Sequence, residues 1–265
     1  EQSPNPLNTF TVRFEGGAID ESPLAATVAE RYGTKHTNIS IATGDVAKHL
    51  PALAWHAEEP LFDAAALPNF LINQVLSEHV TVALNGTGGD ELFAGYGRYF
   101  CLPTERRYLK LPESLRQGLI EPLVSTVSPM TAWRLSRASL FDGNRGQYAH
   151  AHTTHFPSPM LAKIGHRCAP SPAIQGVLFD DFQSAFNTDA QTATLAADIG
   201  SYLPDDLLTL LDRTTMAASV EGRVPFLDHR LVEAALALSS DIRTPIGEQK
   251  GLQRSIAAKF LPEAI

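Results

Sequence analysis

The chain has 265 residues, 44% of them hydrophobic, enough for one large domain or two small ones with a sizeable core. Its 21 Lys and Arg against 29 Asp and Glu leave a net charge of -8, which argues against nucleic acid or an anionic membrane surface as the main partner, since both need a basic face. Two cysteines, Cys101 and Cys168, are too few for a disulfide framework or a multi-cysteine zinc site.

No apolar run reaches the roughly 18 residues of a membrane span, and the first residues carry neither part of a signal peptide, so a cytoplasmic protein is expected. The lack of an initiator Met points to a piece of a longer chain.

Phe10, Val12 and Phe14 alternate with Thr9, Thr11 and Arg13, which predicts a strand. Ser22 and Pro23 then predict a helix start with Ser22 as N-cap; Leu24, Val28 and Tyr32 recur every fourth residue until Gly33. A strand over 37–41, a helix over 68–78 with Leu67, Leu71 and Val75 on one stripe, and a strand over 80–84 follow. This alternation predicts an α/β fold with a parallel sheet.

From Pro103 to Asn187 short helical patterns are broken by prolines. After Tyr202 come leucine-rich residues, a loop around Arg223, and helices over 231–238 and 250–260, the last with Leu252, Ile256 and Phe260 on one face. One α/β domain with a helical extension is expected, the α/β part over 1–100 and the mainly helical part over 101–265.

The sharpest local signal is Asn85-Gly86-Thr87-Gly88-Gly89-Asp90-Glu91, between a predicted strand and a predicted helix. Three glycines in four positions allow a tight turn with its N–H groups aimed inward, a place for phosphate. Asp90 and Glu91 would repel that phosphate unless a divalent cation lay between, so the loop reads as a cradle for magnesium and a nucleotide or pyrophosphate. An ordinary Gly-rich turn with Asp90 as helix cap gives the same string. The spacing fits neither the common NTPase phosphate loop nor the dinucleotide fingerprint.

Continued by Leu92-Phe93-Ala94-Gly95-Tyr96 and Arg98-Tyr99, this string resembles the second phosphate-binding motif of the asparagine synthetase family. Three further stretches agree: Glu58-Glu59-Pro60 with Asp63 and Ala66-Leu67-Pro68; Tyr202 to Leu208 with Asp212-Arg213 and Met216-Ala217; and Ser219 to Asp228.

The resemblance implies a fold of the adenine-nucleotide α-hydrolase type, also called a PP-loop ATP pyrophosphatase, with nucleotide at the C-terminal ends of the strands. It implies an ATP- and Mg²⁺-dependent ligase of asparagine biosynthesis. ATP would activate the side-chain carboxylate of aspartate, or a related acid, as an acyl-adenylate for attack by ammonia from a glutaminase domain that this chain lacks; a homodimer is compatible with it.

By position, the resemblance puts Val12 at an adenine contact, Asn85, Gly86, Thr87, Gly88 and Gly89 in the nucleotide loop, Asp90 with Glu91 at the metal, and Glu221 near the reacting centre. Arg223 would bind a substrate carboxylate or phosphate, or pair with Asp212 or Glu221. Glu59 and Asp63 read as helix caps.

Three departures stand out. The family's first phosphate motif is absent, because the chain begins after it. The chain also ends before the catalytic lysine, and Lys250 resembles a different one, so the fragment is expected to be inactive alone. Thr87 stands where the family usually has an acid and Asn85 where it usually has Ser, which leaves the acceptor acid open.

His150, His152 and His155 are too irregularly spaced for a helical metal site. Trp55 and Trp133 are expected to pack. Other readings are a non-catalytic scaffold of the same fold, or another PP-loop ATP pyrophosphatase.

Overall fold

A computed structural model describes residues 5–14, 20–41, 46–59, 63–142, 189–263 and 265. The histidine cluster and Cys168 lie outside them.

In chain order the elements are β1 (Asn8–Phe14), α1 (Ser22–Tyr32), β2 (Lys35–Ile41), α2 (Val46–Ala57), α3 (Ala66–Leu76), β3 (Val82–Leu84), α4 (Gly89–Phe93), α5 (Pro103–Leu109), α6 (Glu113–Leu115), α7 (Glu121–Val127), α8 (Pro129–Arg137), α9 (Ala190–Gly200), α10 (Thr209–Ala217), β4 (Glu221–Arg223), α11 (His229–Ala237), α12 (Ser240–Arg243) and α13 (Gly251–Ala257). The chain divides into two compact units: Glu1–Thr87 with Pro204–Asp228 and Gln253–Ile265, and Gly88–Leu203 with His229–Leu252. No helix among the described residues is long and apolar enough to cross a membrane.

The result is a mixed α/β, helix-rich structure with small parallel sheets. In the first unit β1 pairs parallel to β2, from Asn8 opposite Lys35 to Phe14 opposite Ile41, and β3 pairs parallel to β4. The expected strand over 80–84 is shorter, Val82–Leu84. The expected loop around Arg223 is instead entered from a strand, whose last residue Arg223 is.

The helix after β1 starts at Ser22, as its first residue rather than its cap; the Asp20 carboxylate accepts the Ser22 N–H at 3.0 Å. Gly33, at φ 59°, ends it in the left-handed conformation that glycine adopts without a Cβ penalty. Helix α2 is absent from the sequence reading, because Pro51 sits in its interior, where a proline argues against a helix.

Helix α3 buries Ala66, Phe70, Asn73 and Leu76, while the expected stripe of Leu67, Leu71 and Val75 is half-buried. The reason is polar: Asn73 points inward and its Nδ2 donates to Asn69 O at 2.8 Å and to Thr214 Oγ1 of α10 at 3.3 Å. A buried amide satisfied this way costs little, so an apolar count misses the face.

Ala94, Tyr99, Leu195 and Leu236 form a core cluster in the second unit. Helix α9, which the sequence reading passes over, is buried from Gln191 to Asp198, and Asp189 caps it by accepting Thr192 N at 3.0 Å. Arg243 is fully enclosed; its guanidinium donates to Ala235 O (2.9 Å) and Leu238 O (2.7 Å) at the end of α11 and to Thr192 Oγ1 (3.1 Å). Ala235 O also takes Leu238 N–H at 3.3 Å, so the cation adds a second donor there, at a helix end where positive charge is favoured.

Some apolar residues stay outside. Leu115, Leu119, Leu123 and Val127 form an exposed row on α6, the π-helical turn Arg116–Ile120 and α7. Trp55 is 80% exposed, against the expectation that it packs. The last helix stops at Ala257, and Ile256 and Phe260 are exposed rather than buried on one face.

Arg243→Met is expected to lower stability by about 2–4 kcal/mol, since it removes the side-chain donors to Leu238 O, Ala235 O and Thr192 Oγ1 in a fully buried place. Chemical denaturation of the variant against the unsubstituted protein checks this.

Candidate functional site

In the first unit the parallel β3–β4 pair leads into the start of the glycine-rich loop. Its register puts Leu84 opposite Arg223, and Asn85 N–H continues the ladder onto Arg223 O at 2.8 Å. Asn85 Oδ1 then accepts both Thr87 N–H (2.8 Å) and Thr87 Oγ1–H (2.7 Å), so this amide folds the turn and commits one backbone donor of the loop.

From the end of β4, Arg223 Nε donates back at 2.7 Å to Oε1 of Glu221, the first residue of that strand and opposite Val82, both side chains 60% exposed. Of the two partners open to Arg223 in the sequence, Glu221 is the one found. An exposed pair of this kind contributes little to stability.

The loop passes into the second unit after Thr87. Gly88 takes φ 93°, a conformation closed to most side chains, and α4 begins at Gly89. Asp90 Oδ1 meets Lys250 Nζ at 2.9 Å, each side chain 34% exposed.

The surroundings of this pair are backbone conformations that ordinary residues avoid: Ala94 and Lys250 both have φ 55°. A Cβ on Gly95 would overlap Asp90 Oδ1 and Lys250 Cε, so glycine is what lets the pair close. Strain held in place by surrounding structure concentrates at functional sites.

Glu91, next in the chain, is fully buried and neither carboxylate oxygen has a hydrogen bond of good geometry. Burial pushes its carboxyl above the usual range; the Tyr96 hydroxyl partly offsets this, and the charges of Asp90 and Asp198 add to it.

Beside it lies a network that the sequence reading did not assemble. Asp198 Oδ2, fully buried, accepts Tyr99 OH at 2.6 Å and Arg98 NH2 and Nε at 2.9 and 3.2 Å. The Arg98 guanidinium lies over the Tyr96 and Tyr202 rings at 4.3 and 4.7 Å. Burial is the largest influence and opposes the Arg98 charge, but the Asp198 charge and hydrogen bond together with Tyr99 and Tyr202 outweigh it, so the guanidinium is pushed above its ordinary range. The signal available in the sequence was Asp198 itself, a single charge inside the uncharged helix Ala190–Gly200.

Val12 lies in the other small sheet, opposite Ile39. Asp63 accepts Ala65 N–H at 2.6 Å in the turn before α3; Ala65 is the N-cap and has no side-chain cap bond, so the capping role expected of Asp63 is not the one found. Glu58, at φ 63°, pairs with Arg213 at 2.8 Å. Among the described residues no group of three or more His, Cys, Asp or Glu is placed to hold a metal ion.

A family profile described as asparagine synthase matches residues 1–265. Asparagine synthetase [glutamine-hydrolyzing] 1 of Bacillus subtilis (strain 168) is 29% identical over 98% of this chain and 41% of its own length. Asparagine synthetase [glutamine-hydrolyzing] 3 of the same organism is 24% identical over 98% of the chain and 39% of its own. Amidase chyE of Penicillium rubens is 24% identical over 87% of the chain and 37% of its own. The chain thus spans about two fifths of the relatives it matches.

Two outcomes are expected. In Gly95→Ala the methyl displaces the Asp90 carboxylate, and a crystal structure of the variant will show Asp90 and Lys250 beyond ion-pair range. Arg98→Met strands the buried Asp198 charge and costs about 3–5 kcal/mol, measured by denaturation.

Proposed function

Because the chain belongs to the asparagine synthase family, we propose that it is the ATP-dependent ligase domain of an amide-forming enzyme, with aspartate or a related carboxylic acid as acceptor. The observation that carries this reading is the glycine-rich loop at the C-terminal end of a parallel strand, with Glu221 and Arg223 on the paired strand beside it. Open α/β folds bind their ligands at that end of their strands.

In this reading a carboxylate oxygen of the acceptor attacks the α-phosphorus of ATP and the bond to pyrophosphate breaks. Ammonia then attacks the acyl carbon, the bond to AMP breaks, and the nitrogen loses a proton. Glu221 is the base that takes it, and Arg223 holds Glu221 in place through Nε.

Residues 86–89 cradle the phosphates, with Thr87 N–H already given to Asn85. Val12 belongs to the adenine end. Asp90 is the residue of this loop that would hold Mg²⁺: its carboxylate, one third exposed and paired with Lys250, would be joined on the ion by phosphate oxygens and water, the oxygen set that ion prefers. Glu91 is fully enclosed. Bound there, the ion supplies positive charge against the phosphates.

Ammonia comes from a glutaminase domain of the longer protein. Thr87 carries no charge, so the nitrogen meets a hydroxyl already bonded to Asn85 rather than a carboxylate.

The test is acid-dependent pyrophosphate release by the full-length polypeptide, scanned over aspartate and other carboxylic acids. Release with at least one acid is expected. Asp90→Asn and Glu221→Gln should each slow amide formation by roughly 10²-fold or more. No release with any acid sinks the reading.

A further inference from the structure

Lys250 Nζ occupies, against Asp90 Oδ1, the place a metal cation would take: 2.9 Å from the oxygen, on a side chain only one third exposed. This is not a loose surface contact. Lys250 is held at φ 55°, a conformation unfavourable to lysine, and the residue facing the pair is Gly95, where any side chain would push the two apart. The fold therefore accepts strain on one side and forgoes a side chain on the other, and both features bring an ammonium onto this carboxylate.

An ion arriving alone has to break that pair and then sit as a double positive charge beside a displaced ammonium. An ion arriving on a phosphate chain brings negative oxygens to which the ammonium can turn. Like charges a few ångströms apart repel, and the opposite charges of phosphate cancel this penalty.

We propose that Lys250 is a resident counter-ion that closes Asp90 to free divalent cations and yields it only to a metal–nucleotide complex, whose phosphates take over the ammonium. This rests on Asp90 as the metal carboxylate of the ligase reading. Lys250 acts in this as a positioning and ordering residue: it makes metal and nucleotide bind as one unit and keeps a bare ion from occupying the site.

The experiment measures Mn²⁺ binding by electron paramagnetic resonance in the full-length protein, with and without a non-hydrolysable ATP analogue. In Lys250→Met, affinity for Mn²⁺ alone is expected to rise about three- to tenfold, while affinity for the Mn²⁺–analogue complex falls by a similar factor. Lys250→Gly, which suits the left-handed backbone, should shift both in the same directions and guards against a folding defect in the first variant; Lys250→Arg should keep the pattern of the unsubstituted protein.

Mn²⁺ alone binding no tighter in both Lys250→Met and Lys250→Gly overturns the proposal while leaving the ligase reading intact. Asp90→Asn that binds the Mn²⁺–analogue complex as tightly as the unsubstituted protein overturns the metal assignment of Asp90, and the proposal with it.

Discussion

A buried charge has to be paired, and in the second unit Asp198 imposes that requirement on its neighbours. It sits in the last turn of α9 with no solvent contact, so Arg98 and Tyr99 are drawn onto one of its oxygens. Arg98 in turn is covered by the Tyr96 and Tyr202 rings, and Tyr96 stands over Glu91. The chain from Glu91 to Tyr99 is thereby fixed at several points, and Gly95, with the Asp90 carboxylate against it, lies within that stretch. Apolar packing alone would not specify this arrangement, because Leu195 and Ala94 accept many neighbours, whereas a buried charge accepts few.

The other half of the loop is governed differently. Asn85 and Thr87 are held by a strand ladder and a side-chain amide, and Arg223, paired with Glu221 on the same strand, lies opposite Leu84 just before them. One glycine-rich loop therefore belongs to two units, with its polar turn built on a sheet and its acidic end built on a buried ion network. Gly88, with its positive φ, stands at the change from one to the other.

Much of this was legible in the sequence where local chemistry and structure agree. The strands around Phe10 and Thr37, the Gly33 stop, the helix around Leu231 to Ala237 and the placement of the Gly-rich loop between strand and helix follow from periodicity and turn residues. What was missed has physical causes. Pro51 hid α2, because a helix can absorb a proline when its packing repays the lost hydrogen bond. Asn73 hid the true face of α3, since polarity in sequence says nothing about a partner such as Thr214. The short β4 was hidden because Glu221-Gly222-Arg223 has no strand periodicity; its pairing to β3 is decided wholly by distant residues. The Lys250 contact with Asp90 joins residues far apart in the chain, and no motif spacing encodes it.

The parallel pairing of β3 with β4 also bears on how the protein reaches its native state. Parallel neighbours cannot be joined by a tight turn, and here nearly the whole second unit is threaded between the two strands. Closing so long a loop for three residues of ladder gains little until the helices around it are packed, so these strand ends form late along the folding path. Substitutions at Asn85, Thr87, Glu221 or Arg223 then act mainly on the rate at which the native state opens, and leave the rate of its formation nearly untouched.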